Sequence, residues 1–281
     1  MTAAGARTIR PSSLTTYLDC GRRFAARHLA DDIAAAGYLL HKQRPVHVGA
    51  AVGSGVHAAA GYTLSEKKAT GSLGADSEAE DRAIEEFKAR VEYGVGWDDT
   101  TADLPTAQKQ IQRMSRSYRR HLAPVITPLL VEERLTADIG DGWEVSGQLD
   151  TLAGDPDNIV GDLKTGVQQR ANGVQYATYA MLFSAHGYVV RGIVEWFLPR
   201  VRLSKEQEPP RTTNIPLAAA QADAWEALEG IKRDTDLFMQ RVADPSGRPA
   251  PSAFRANPGS SLCSAKWCPA WGTDFCQSHK P

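Results

Sequence analysis

Hydrophobic positions along the chain recur first at helical spacing, then at strand spacing, then at helical spacing again. Over 12–30, Leu14, Tyr17, Leu18 and Phe24 fall roughly on one side of a helix, with Ser12 or Ser13 as its N-cap. Segment 49–66, GAAVGSGVHAAAGYTLSE, is rich in small residues and reads as a tightly packed helix. Segment 77–93 opens on S-x-x-E (Ser77, Glu80), a capping-box pattern, and spaces Ile84, Phe87 and Val91 helically. A further helix covers 106–122. The period then shortens. Segments 130–138, 143–153 and 158–164 are short and rich in Val, Ile, Leu and Trp, and GDG at 140–142 and GDPDN at 154–158 separate them. That is the pattern of consecutive antiparallel hairpins. A helix at 172–186, strands at 189–198 and near 211–216, and a helix over 217–242 follow, the last repeating Trp225, Leu228, Ile231 and Phe238. The tail from Asp244 is rich in Pro, Ser and Gly and needs something other than a core to order it. The middle therefore reads β-β-β-α-β within a helical frame, an α/β class.

A length of 281 residues allows one large domain, or one with a smaller accessory piece. A single domain is the simpler expectation: a mainly helical part over 1–125, a core over 126–216, and a C-terminal helix and tail over 217–281. Hydrophobic residues at 42% and charged residues at 23% exclude global disorder. The net charge of −1 excludes a polycationic coat but not a local basic groove. Basic residues do gather, at Arg7, Arg10, Arg22, Arg23 and Arg27, and again on the helix over 106–122. There Lys109, Arg113, Arg116 and Arg120 share one face, either solvated or facing phosphates. The N-terminus lacks a signal-peptide core, and the apolar runs at 123–131 and 188–198 are too short to span a bilayer. A cytoplasmic, reducing location is expected, where cysteines are better read as ligands or redox groups than as disulfides. There are four: Cys20 alone, and Cys263, Cys268 and Cys276 crowded near the end.

The most informative stretch is GQLDTLAGDPDNIVGDLKTG, residues 147–166. Asp150 ends one expected strand, and Asp162 and Lys164 end the next. Residues i and i+2 of a strand share a face, so Asp162 and Lys164 are neighbours, and hairpin pairing can bring Asp150 to the same sheet end. Two carboxylates beside an ammonium suit a hard divalent cation such as Mg²⁺ or Mn²⁺, with the backbone carbonyl of Leu163 able to complete the set. Such an ion acidifies water and stabilises a phosphodiester in transit, while Lys164 orients that water or neutralises charge. The plain alternative is two hairpin aspartates and a surface ion pair. No G-x-x-x-x-G-K-[ST] and no G-x-S-x-G is present, so neither a P-loop motor nor acyl chemistry is indicated.

G-x-x-D (Gly147 to Asp150), D-x-K-T-G (Asp162 to Gly166) and Q-x-x-x-Y-A (Gln175 to Ala180) together resemble the PD-(D/E)xK nuclease superfamily, and within it the RecB-like exonucleases. The resemblance implies a restriction-endonuclease-like αβββαβ core and a Mg²⁺- or Mn²⁺-dependent DNA exonuclease of recombination, repair or CRISPR spacer acquisition. Asp150 and Asp162 would be metal ligands, Lys164 catalytic, and Gln175 and Tyr179 would support the lysine or contact DNA backbone. G-x-x-x-H (Gly53 to His57) matches the position of an additional histidine ligand, and Glu133 is a further carboxylate at a plausible place. Arg113, Arg116 and Arg120 become candidate phosphate contacts, and Trp97, Trp267 and Trp271 could stack bases. Some members hold a [4Fe-4S] cluster on one early and three late cysteines, a set that Cys20, Cys263, Cys268 and Cys276 would supply here. The spacing C-x₄-C-x₇-C departs from the commoner C-x₂-C-x₅-C and is closer to some phage-encoded members, in which case the location is a bacterial host's cytoplasm. Zinc on the four cysteines is the alternative ligand. DNA with an end is the implied partner, and a helicase or single-strand annealing protein would supply any unwinding. A non-catalytic end-binding or assembly subunit of the same fold, and a zinc-stapled α/β protein, are the competing readings.

Overall fold

The computed structural model describes residues 6–42, 45–154, 158–169, 173–240 and 247–277. The chain divides into two compact units, one of Met1–Arg44, Thr136–Ser146 and Ala218–Pro281, the other of Pro45–Leu135 and Gly147–Leu217.

In the second unit, helices α4 (Val48–Thr70), α5 (Asp76–Val91) and α6 (Leu104–His121) precede the strands β4 (Pro128–Asp138) and β5 (Trp143–Ala153), which both continue into the first unit. β6 (Ile159–Gly166), α7 (Gly173–Ala185), β7 (Gly192–Pro199) and β8 (Arg211–Ile215) complete it. β5 pairs antiparallel with β6, β6 parallel with β7 over its whole length, and β7 antiparallel with β8. α7 is the crossover that a parallel pair requires. On one sheet face Leu163, Val194, Trp196 and Leu198 join Val52, Val56, Ile111 and Met114 of the helices in a single buried cluster. Alternation sends Asp162, Lys164 and Glu195 to the other face, which α7 covers. The sequence order α-β-β-β-α-β is therefore the observed one, with boundaries shifted by a few residues at most.

The GDG segment is a tight reversal between β4 and β5, and Gly140, Asp141 and Gly142 take φ of 83°, 58° and 75°. Glycine adopts such angles at no steric cost, which is why the hairpin carries two. The expected capping box on α5 does not form. Ala75 is the N-cap, with no side-chain bond, and Glu80 accepts instead from Arg116. Burial of α5 against its neighbours, through Ala79, Ala83 and Phe87, holds the helix without it.

In the first unit β1 (Arg7–Ile9) pairs parallel with β5 through Arg7↔Trp143 to Ile9↔Val145. The helix expected over 12–30 is two, α1 (Pro11–Asp19) and α2 (Gly21–His28), followed by α3 (Ala30–Ala35). Cys20 interrupts it in extended conformation, at φ −160° and ψ 107°. The reason lies in the tail: a Cβ on Gly21 would sit 3.1 Å from the Arg255 backbone, so the chain passes close there. Leu18 points outward, 51% exposed, off the apolar side the periodicity gave it. Trp225, on α8 (Leu217–Met239), is likewise outward at 48%, whereas Leu228, Ile231 and Phe238 are buried as the spacing implied.

The tail has its own core after all. Phe254 and Phe275 pack with Tyr38, Phe238, Ala25 and Ala26, and Cys268 and Cys276 belong to the same cluster. The N-terminal arginines bind this tail: Arg22 donates to the carbonyls of Pro251, Phe254 and Phe275, Arg23 to Ser260 and Asp19, and Arg27 to Trp267.

Candidate active site

Helix α4 carries glycines at i and i+8 about a histidine at i+4: Gly53, His57 and Gly61 lie on one face. Their smallness has a geometric use. A Cβ on Gly53 would stand 2.6 Å from Thr165 Oγ1 of β6, and one on Gly61 would stand 2.9 Å from Glu132 Cγ of β4. Both strands therefore come closer to this helix than an alanine face would permit, with His57 between them.

His57 Nδ1 lies 3.0 Å from Asp150 Oδ1, and Asp150 Oδ2 accepts the Leu163 N–H at 2.7 Å. Glu132 enters through a local distortion of β4, where it has φ of 51°. Such an angle is uncommon outside glycine. Val131 and Glu132 are consecutive, yet Val131 packs on the helical core while Glu132 lines the cleft. Two successive side chains on one side are what a bulge produces. Strict alternation from Val131 would have turned Glu133 inward; Glu133 is exposed, and Glu132 is the carboxylate of the site. Ligand atoms of His57, Glu132 and Asp150 all lie within 4.8 Å of one another.

Beside this trio stands the D-x-K pair. Lys164 Nζ is 2.6 Å from Asp162 Oδ2, a charge contact off the axis of a hydrogen bond, and that buried oxygen has no hydrogen-bond partner among the described residues. The ammonium also lies 5.3 Å from the centroid of the buried Tyr176 ring. Tyr176 donates to Glu195 Oε2, whose other oxygen accepts from Gln169 at 2.7 Å. Glu195 is 2% exposed, next to Asp162 in the β6–β7 register, and holds the ring beneath the lysine. The sequence signalled it only as a charge inside an apolar run. Gln175 and Tyr179 are buried one turn apart on α7, with Gln175 Nε2 donating to Tyr179 Oη at 3.3 Å.

Charges in this space are strongly shifted. Burial pushes Asp162 up to about 7, reinforced by Asp150 and opposed by Lys164. Burial, with Asp150 next, likewise lifts Glu132 to about 7. Asp150 is also penalised by burial, but His57, Lys164 and the Leu163 N–H outweigh that and hold it below its ordinary value. His57 loses to burial and gains more from Asp150 and Glu132, reaching about 9. Lys164, desolvated yet flanked by Asp162 and Asp150, is held above its ordinary value and stays cationic. Tyr179 is pushed up to about 12, chiefly by burial.

Such a site carries more buried carboxylate than its own cations can balance. That imbalance, the unused lone pair of Asp162 and the hard O/N donor set fit a divalent ion.

The basic helix is less open than its spacing suggested. Arg113 donates to the backbone of Leu203 and Lys205, and Arg116 pairs with Glu80. Arg119 is buried on Asp76, Thr63 and the carbonyls of Leu73 and Gly74; Lys109 and Arg120 are exposed. Trp97 is 42% exposed, and Trp271 packs on the tail core. In the first unit the four cysteines are free thiols, described further below.

A mixed sheet with the α-β-β-β-α-β order, carrying D-x-K on its third strand and a carboxylate–histidine trio beside it, defines a nuclease-type α/β fold. The family model described as the PD-(D/E)XK nuclease superfamily matches residues 8–273, and the chain belongs to that superfamily. Among solved structures it is similar to the crystal structure of a candidate exonuclease from Eubacterium rectale, with a TM-score of 0.51 over 82% of this chain and 79% of that one. At 11% identity this likeness speaks for the fold alone. A second structure, SSO0001, is 14% identical over 78% of this chain and 84% of that one, but its TM-score of 0.29 carries no argument. No curated protein matches the chain. No helix among the described residues is long and apolar enough to cross a membrane.

Proposed function

We propose that the chain is a metal-dependent deoxyribonuclease of RecB-like type that acts as an exonuclease on DNA ends, in recombination or repair. The observation that carries this reading is the convergence of His57, Glu132 and Asp150 beside the Asp162–Lys164 pair. Asp150, Glu132 and His57 would hold Mg²⁺ or Mn²⁺, with Asp162 and the Leu163 carbonyl alongside. When bound, such an ion acidifies water for attack and offsets charge on the phosphate. Lys164 is cationic and partly open, so it acts as an electrostatic stabiliser of the phosphoryl oxygens rather than as a base. Asp162 fixes the ammonium from one side and the Tyr176 ring, tied to Glu195, from another. Gln175 and Tyr179 shield that pair from α7. The choice of exonuclease over endonuclease draws on the motif resemblance and on the Eubacterium rectale neighbour's description.

Linear DNA should shorten in the presence of the purified protein and Mg²⁺ or Mn²⁺, and a chelator should stop it. Tight binding of DNA ends with no metal-stimulated cleavage would favour the non-catalytic end-binding reading instead.

A structural [4Fe-4S] cluster on Cys20, Cys263, Cys268 and Cys276 belongs to the same proposal. Burial, with the other thiols adding to it, raises Cys263 and Cys268, so these sulfurs lie within electrostatic reach of Cys20 and Cys276. Two of them accept backbone N–H groups, Cys20 from Asn257 at 3.4 Å and Cys268 from Ala270, as thiolate ligands do. Anaerobically purified protein should be brown and contain iron and sulfide. Colourless protein with stoichiometric zinc would replace the cluster by the zinc alternative.

A further inference from the structure

Tyr118, on α6, is 2% exposed, yet its hydroxyl has no hydrogen-bond partner among the described residues. The oxygen is not sealed from solvent, unlike Asp162 Oδ2, so it is open to a partner that enters from outside. Its surroundings show where that partner would come from. Tyr118 lines the same narrow cleft as His57, Glu132, Asp150 and Leu163. The ring itself is locked in the helical core with Ile111, Met114 and Trp196, so the hydroxyl has little freedom to turn elsewhere. Asp150 and Glu132 are its electrostatic neighbours, though neither accepts from it.

We infer that Tyr118 is a catalytic residue whose hydroxyl donates a hydrogen bond to a non-bridging oxygen of the scissile phosphodiester. The inference rests on the nuclease reading above and adds a substrate contact to it. A phosphate entering a cleft lined with carboxylates needs donors in addition to Lys164, whose ammonium is shared with Asp162. A neutral phenol adds a donor without adding another charge to be desolvated. Burial first, then Asp150 and Glu132, hold the phenol well above its ordinary range, so it keeps its proton and serves as a donor, not a base. A donor fixed before substrate arrives is of the kind that stabilises developing charge most effectively.

Tyr118→Phe removes the hydroxyl and leaves the ring in its packing. Steady-state cleavage of linear DNA with Mg²⁺ should then show kcat reduced on the order of 10- to 100-fold, the range of a hydrogen bond to a charged acceptor. KM for DNA and the thermal midpoint should barely move. The penalty should shrink on a phosphorothioate whose sulfur replaces the accepted oxygen, because sulfur accepts poorly. A hydroxyl that is only structural or hydrated would shift the thermal midpoint and leave kcat within about twofold of wild type, which would overturn the inference. Asp150→Asn run alongside separates the levels. If the wild type is inactive, or Asp150→Asn cleaves as the wild type does, the nuclease reading fails and this inference with it. If the wild type is active and Asp150→Asn is not, full activity of Tyr118→Phe sinks the inference alone.

Discussion

Lys164→Ala is expected to lower kcat for linear DNA by about 10²- to 10³-fold, roughly 3–4 kcal/mol of transition-state stabilisation, while the protein stays folded. The size follows from what the ammonium does. It is the cation paired directly with Asp162, it is kept protonated by Asp162 and Asp150, and its Nζ rests between a buried carboxylate and an aromatic face. Alanine removes the charge that pairs directly with Asp162, a side chain only 2% exposed. Asp162→Ala should be equally damaging, because it frees the lysine from its anchor and removes a carboxylate from the metal's surroundings. Steady-state kinetics with circular dichroism on each variant would check this. Wild-type cleavage by both would remove D-x-K from the chemistry.

The largest effect on folding is expected at Gly161. A Cβ there would lie 2.1 Å from Trp196 Cη2 and 2.4 Å from Cζ3, distances no packed pair sustains. Trp196 is 7% exposed inside the helical core, and β6 and β7 are paired through this very region, so neither ring nor strand can retreat easily. Gly161→Ala should therefore cost about 3 kcal/mol, at the upper end for overpacking. It should also depress activity, since the next two residues are Asp162 and Leu163, whose N–H holds Asp150. Urea unfolding would read the loss as a lower midpoint at unchanged slope. Shrinking Trp196 in the same chain should recover part of it, because contacting sites couple. A Gly161→Ala protein within about 0.5 kcal/mol of wild type would show that the strand pair is looser than its geometry.

Much of this was legible in the residues because strand and helix periods are short and fixed. The i, i+2 rule placed Asp162 and Lys164 on one face, hairpin pairing brought Asp150 near, and G-x-x-x-H put a glycine one turn before His57. What escaped is what those periods do not encode. Glu132 displaced Glu133 because β4 distorts at one positive-φ residue, and no spacing rule announces such a residue in advance. Glu195 and Tyr118 lie far in sequence from the motifs and reach the site only through packing. The break at Cys20 is dictated by the tail, more than two hundred positions away, passing against Gly21. The capping box failed because Glu80 had a better partner in Arg116 than its own helix terminus. Non-local contacts overrode local preference in each case.

The most direct measurement is a time course of end-labelled linear DNA, single- and double-stranded, with the purified protein and Mg²⁺. The expected result is progressive loss from an end that requires the divalent ion and disappears in Asp150→Asn. Label and length left intact at every time point, with the protein bound and the metal present, would contradict a nuclease centred on His57, Glu132, Asp150, Asp162 and Lys164.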